Sequence, residues 1–86
     1  MADRRIAFPE RAWEQIETLP ESLRRSVQLA IFTLLDEPRP TLADPMEGVP
    51  DAYELNLVSD DVTIWYTVTL HEGAEVITIQ VVRPNL

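Results

Sequence analysis

The sequence predicts an α+β fold. A helical hairpin packs on an antiparallel sheet of four strands, in the order β-α-α-β-β-β, as a single domain over residues 1–86. Three observations carry this. Apolar residues recur at helical spacing in two stretches between residues 10 and 35. They alternate with period two from Tyr53 to Val82. A proline-rich stretch separates the two regimes.

Ile6-Ala7-Phe8 is a brief first strand ahead of Pro9. Pro9 or Glu10 opens the first helix, because proline is tolerated in the first turn. Glu10 and Glu14 favour the positive end of its dipole. Ala12, Trp13, Ile16 and Leu19 form one apolar stripe, which places Trp13 in the core. Leu19-Pro20 ends this helix, since the residue before proline avoids the helical region. The second helix runs from about Glu21 to Leu35, with Leu23, Val27, Ala30, Ile31 and Leu34 on one face. Arg24, Arg25 and Gln28 fall on the solvated side.

Pro38, Pro40, Pro45 and Pro50 forbid a regular helix or central strand across residues 36–51, so this segment is a crossing loop. Tyr53, Leu55 and Leu57 then share a strand face opposite Glu54 and Asn56. Ser59-Asp60-Asp61 is a turn. Val62, Ile64, Tyr66, Val68 and Leu70 share the core face of a long strand, opposite Thr63, Trp65, Thr67, Thr69 and His71. A second turn at His71-Glu72-Gly73-Ala74 uses a glycine suited to positive φ. Ile77, Ile79 and Val81 are the core face of the last strand, with Thr78 and Gln80 opposite.

Composition narrows the chemistry. With 45% apolar and 26% charged residues the chain is neither disordered nor a membrane protein. No apolar run approaches the roughly 18 residues of a membrane span. Met1-Ala2-Asp3-Arg4-Arg5 is followed by no leader-like apolar run, so the expected location is cytoplasmic. The absence of cysteine excludes disulfides, thiolate metal sites and cysteine nucleophiles. One His excludes any site needing two imidazoles. No metal and no cofactor is expected. The net charge of −8 argues against non-specific nucleic-acid binding and favours basic or apolar protein partners.

The polar sheet face is the candidate binding surface: Trp65, Thr63, Glu54, Asn56 and Gln80 set an indole among hydroxyl, amide and carboxylate groups. Trp65 reads either as a stacking platform or as a residue packed against its neighbours. Arg83 reads as a phosphate or partner contact, or as a surface residue after a strand. His71, the acids Asp60 and Asp61, and the pair Glu72 and Glu75 sit at turns, where solvated side chains are the plain account. Arg24, Arg25 and Arg11 read as a small basic strip or as helix residues paired with nearby acids.

The ordered set Ile6-Ala7-Phe8, Leu19-Pro20 with Arg24, Leu34-Leu35 with Pro38, Met46-Glu47-Gly48, Tyr53-Glu54-Leu55, Ile64-Trp65-Tyr66-Thr67-Val68 and Val76 to Arg83 resembles the RelE/ParE superfamily of bacterial toxin-like proteins. The resemblance implies the toxin half of a type II toxin–antitoxin pair. RelE-like members cleave mRNA on the ribosome with a basic cluster and often a C-terminal Tyr. ParE-like members lack that cluster and act on DNA gyrase. Both are wrapped by an antitoxin. Here Thr63 stands where the family commonly has Arg, residues 53–61 contain no basic residue, and Arg83 alone matches a basic position. Arg83 is followed only by Pro84, Asn85 and Leu86, so a site without the C-terminal Tyr is expected.

Three readings stay open at this point. The first is a toxin that interferes with translation through mRNA cleavage, with Arg83 as its catalytic residue. The second is a gyrase-directed or other protein-binding toxin. The third is a non-toxic interaction module, a homodimer through the edge or open face of its sheet. The expected partner is a cognate antitoxin-like protein with a basic or apolar binding segment.

Overall fold

A computed structural model of the chain describes residues 3–85. Met1, Ala2 and Leu86 lie outside them, and with them part of the segment on which the expected location was read. Strand β1 spans Arg4–Ala7, helix α1 Glu10–Glu17 and helix α2 Glu21–Asp36. Then come strands β2 (Ala43–Pro45), β3 (Ala52–Leu57), β4 (Val62–His71) and β5 (Ala74–Pro84). The two prolines act as read: Pro9 and Pro20 are the N-caps of α1 and α2, and both have extended backbone. Among the described residues no helix is long and apolar enough to cross a membrane.

The sheet has five strands in the order β1-β5-β4-β3-β2, which corrects the expectation of four antiparallel strands. β2 to β5 form an antiparallel meander, but β1 lies parallel to β5, with Ile6 opposite Ile77. The helical hairpin supplies the crossover that a parallel neighbour requires. The extra strand, β2, sits inside the proline-rich loop. It is short, lies at the edge and ends on Pro45, which is where a residue without an N–H is tolerated.

The helices cover one sheet face. Val27, Ile31 and Leu34 of α2 and Ala12 and Ile16 of α1 are buried against Ile64, Tyr66, Val68, Ile77 and Ile79. Leu23 is only partly buried at the margin of this core.

Three side chains depart from their expected places. Trp13 is 46% exposed rather than buried. Successive helix residues are about 100° apart, so a stripe centred on Ala12 and Ile16 leaves Trp13 on its flank. There its ring meets Phe8 edge-to-face at 5.6 Å. Val81 is only partly buried and Val82 takes its place in the core at 1% exposure. The cause is a bulge: Trp65 pairs with Val81 but Tyr66 pairs with Ile79, so Gln80 is an extra residue and the alternation changes parity. Leu70 lies on the core face but beyond the helices, and stays exposed.

Candidate functional site

The face turned away from the helices carries the candidate site. Strand register assembles it: Glu54 lies opposite Trp65, Asn56 opposite Thr63, and Thr63 opposite Arg83. Period two puts all five side chains on one side of the sheet.

The Trp65 indole Nε1–H donates to Glu54 Oε2 at 3.0 Å, and Asn56 Nδ2 donates to Glu54 Oε1 at 3.1 Å. The Arg83 guanidinium lies over the Trp65 ring, 5.2 Å from its centroid. A cation on an indole face at an exposed site contributes about 0.5–1 kcal/mol. Thr63 Oγ1 lies 2.6 Å from Asn56 Oδ1 and 2.7 Å from Asn85 Oδ1. One hydroxyl proton serves only one of these oxygens. The bond from Asn56 Nδ2 to Glu54 fixes the Asn56 amide, so Asn56 takes the proton. The Asn85 amide then turns its NH2 toward Thr63, a flip that leaves its shape unchanged.

Five of the six residues singled out on the sequence therefore meet: Trp65, Thr63, Glu54, Asn56 and Arg83. Gln80, on the bulge, instead donates to Thr67 Oγ1 at 3.3 Å. Asn85 joins the group although no local pattern marks it. Its backbone N–H is tied to Asp61 O at 2.9 Å, which returns the end of β5 to the turn before β4.

A second polar cluster was not legible in the sequence. Glu75 accepts from Arg4 Nε at 3.0 Å and from Arg39 Nη1 at 3.1 Å. Arg4 also donates to the carbonyls of Leu35 and Asp36, capping the C-terminus of α2. Arg39 Nε donates to the Tyr53 hydroxyl at 3.1 Å, and Tyr53 stacks on Tyr66. The bonds from Arg4 and then Arg39 hold the Glu75 carboxyl below its ordinary range. Glu75 and Tyr53 together raise the Arg39 guanidinium. Tyr66 is pushed up to about 12, first by burial and then by Tyr53. Its hydroxyl does not reach solvent but donates to Pro38 O at 2.8 Å.

His71 is exposed, with Nε2 4.0 Å from Glu72 Oε2. Arg25 pairs with Glu21 at 3.4 Å across one helical turn. Among the described residues no group of three or more His, Cys, Asp or Glu is placed to hold a metal ion.

This architecture is the RelE-like fold of toxin–antitoxin toxins, an α+β arrangement of two helices on a mostly antiparallel sheet. The isolated E. coli RelE toxin matches at 25% identity over 94% of this chain and 83% of that chain, with a TM-score of 0.80. RelE in the intact E. coli RelBE toxin–antitoxin complex matches at 25% identity over 92% and 93% of the two chains, with a TM-score of 0.77. The archaeal RelE–RelB complex from Pyrococcus horikoshii shares the fold at 23% identity, over 99% of this chain and 97% of that chain, with a TM-score of 0.76. No family model and no curated protein matches the sequence.

Proposed function

We propose that the chain is the toxin-type member of a toxin–antitoxin pair and that it acts by binding protein rather than by cutting RNA. One observation carries the second half of this reading. Around Trp65 the open sheet face offers a single guanidinium, Arg83, and it is already stacked on the indole beside the Glu54 carboxylate. RNA cleavage without a metal needs a base, an acid and cations to hold the charge of the phosphorane. Thr63 and Asn56 are committed to each other and to Glu54. Arg5 and His71 lie on the same face but four and six residues further along from Trp65 in register, roughly 13 Å and 20 Å at the rise of a strand.

An antitoxin-type partner is supported by the likeness to RelE chains solved with RelB. An apolar groove of about 250 Å³ between α1, α2 and β1, lined by Phe8, Trp13, Phe32 and Leu35, supports docking of an apolar partner segment. The cellular target of this reading is a protein, gyrase among the candidates, and not mRNA on the ribosome.

Tightly induced expression in bacteria tests it, following growth and newly formed mRNA ends, with Arg83→Ala as control. The expected result is growth arrest without codon-phased cuts. Codon-phased cuts that disappear in Arg83→Ala would overturn the reading and establish a ribosome-dependent nuclease. Full growth with soluble, folded protein would overturn the toxin half and leave a non-toxic interaction module, for which a homodimer is then sought by sedimentation.

A further inference from the structure

We propose that the open face along β2 and β3 docks a basic segment of the protein partner in extended conformation. A partner arginine pairs with Glu54 beside Trp65, and a partner apolar side chain sits between Leu42 and Val58. The inference rests on the protein-binding reading above and names the chemistry of the partner.

The Glu54 carboxylate is half-buried and held by two neutral donors, Trp65 and Asn56. Among the described residues it has no cationic partner. A carboxylate partly withdrawn from water with no counter-ion gains from an incoming cation. The adjoining indole already accepts a guanidinium, since Arg83 lies 5.2 Å from its centroid. A carboxylate bonded to an indole edge, with Arg83 already on the ring face and lone pairs left on both oxygens, presents an acceptor to an incoming arginine.

A groove of about 510 Å³ continues this site toward the sheet edge, lined by Leu42, Asp44, Asn56, Val58 and Asp60 among others. Leu42 and Val58 are 78% and 86% exposed, large apolar side chains with nothing to cover them among the described residues. Asp44 lies opposite Glu54 in register, so the two acids neighbour each other on the same face. Along β3 Glu54 and Asn56 share this face about 7 Å apart, and Val58 follows in the turn that leaves the strand. An extended peptide repeats its own side chains at the same interval. Residues four apart in such a peptide share a face about 13 Å apart, so an arginine and an apolar residue at that spacing meet Glu54 and the groove between Leu42 and Val58. The chain's charge of −8 steers such a segment in and repels an acidic one.

The test uses the full chain carrying Trp13→Phe, so that indole fluorescence reports Trp65 alone. Three end-capped synthetic peptides of equal length on a serine background are titrated: one with arginine and leucine four residues apart, and two with citrulline or glutamate in place of the arginine. The arginine peptide is expected to shift Trp65 fluorescence and the Glu54 and Asn56 NMR signals. Citrulline or glutamate in place of arginine weakens binding about tenfold or more, and so does Glu54→Gln. Asp44→Asn gives a smaller loss in the same direction and guards against a folding defect in the first variant. Equal binding of the citrulline peptide, or an unchanged affinity in Glu54→Gln, would overturn the proposal. So would shifts confined to Phe8, Phe32 and Leu35, or tighter binding of a single-stranded oligouridine at Trp65. Uncut growth arrest in cells combined with no arginine-dependent binding sinks this inference alone. Codon-phased mRNA cuts sink the reading on which it rests.

Discussion

Tyr66 shows how one buried polar atom ties two distant segments. Its side chain is fully buried, and its hydroxyl donates to the carbonyl of Pro38, in the loop that leaves α2. Replacing it with Phe keeps the ring and strands the carbonyl. The expected loss is about 1–3 kcal/mol, read as a lower denaturant midpoint with an unchanged slope. The raised ionisation of Tyr66 fixes a sign as well. Its contribution is complete below its ordinary pKa of 10.0 and is lost as the pH rises toward about 12. The alkaline unfolding limb of the wild-type chain therefore loses this component in Tyr66→Phe. The same reasoning, read from sequence, placed Tyr66 in the core by its alternation with Ile64 and Val68. It could not place the hydroxyl, because the acceptor is 28 residues away.

The bulge in β5 governs the behaviour of that element. The extra residue, Gln80, shifts the parity of the strand, and nearby the Val82 N–H is taken by the Oε1 of Gln15 on α1 at 2.8 Å. Gln15→Leu leaves that donor unsatisfied under the helix. Its expected cost is about 1–3 kcal/mol, with faster hydrogen exchange at Val82 as the local readout. The β4–β5 turn has a simpler fault. Glu72 and Gly73 both adopt positive φ, at 52° and 80°. That suits a two-residue turn whose first position prefers Asn. Glu72→Asn is expected to raise stability by roughly 0.5–1 kcal/mol, measured by thermal or denaturant unfolding, because a glutamate pays for the left-handed conformation.

At the scale of the whole molecule, Glu75 joins β5 to β1, to the end of α2 through Arg4, and to the crossing loop through Arg39. Its pKa is lowered in the folded chain. The stability it contributes is therefore present above the ordinary carboxyl value of 4.5 and is lost as the pH falls through the lowered one. A melting temperature recorded against pH is expected to fall on that acid side. Glu75→Gln flattens the fall and lowers the plateau at neutral pH. If the variant keeps the wild-type acid limb, the clasp does not set it. The acidic surface acts at the same scale, since a charge of −8 selects partners by repulsion as much as by contact.

Local pattern determined much of this protein. The helical stripes of Val27, Ile31 and Leu34, the alternation along β3 and β4, the turns and the proline-rich crossing all follow from neighbours in the chain. So do the shared face of Glu54 and Asn56 on β3 and that of Thr63 and Trp65 on β4, while the pairing of the two strands brought the two pairs together. Tertiary structure decided the parallel seat of β1, the bulge at Gln80, the exposed flank of Trp13, and the clasp of Arg4, Arg39 and Glu75. Arg4 and Glu75 are 71 residues apart, and such a bond leaves no trace in local spacing. A periodic pattern reports which way a side chain points relative to its own backbone. What it meets there depends on the register and direction of the neighbouring strand, and these are set only when the whole sheet closes on its helices.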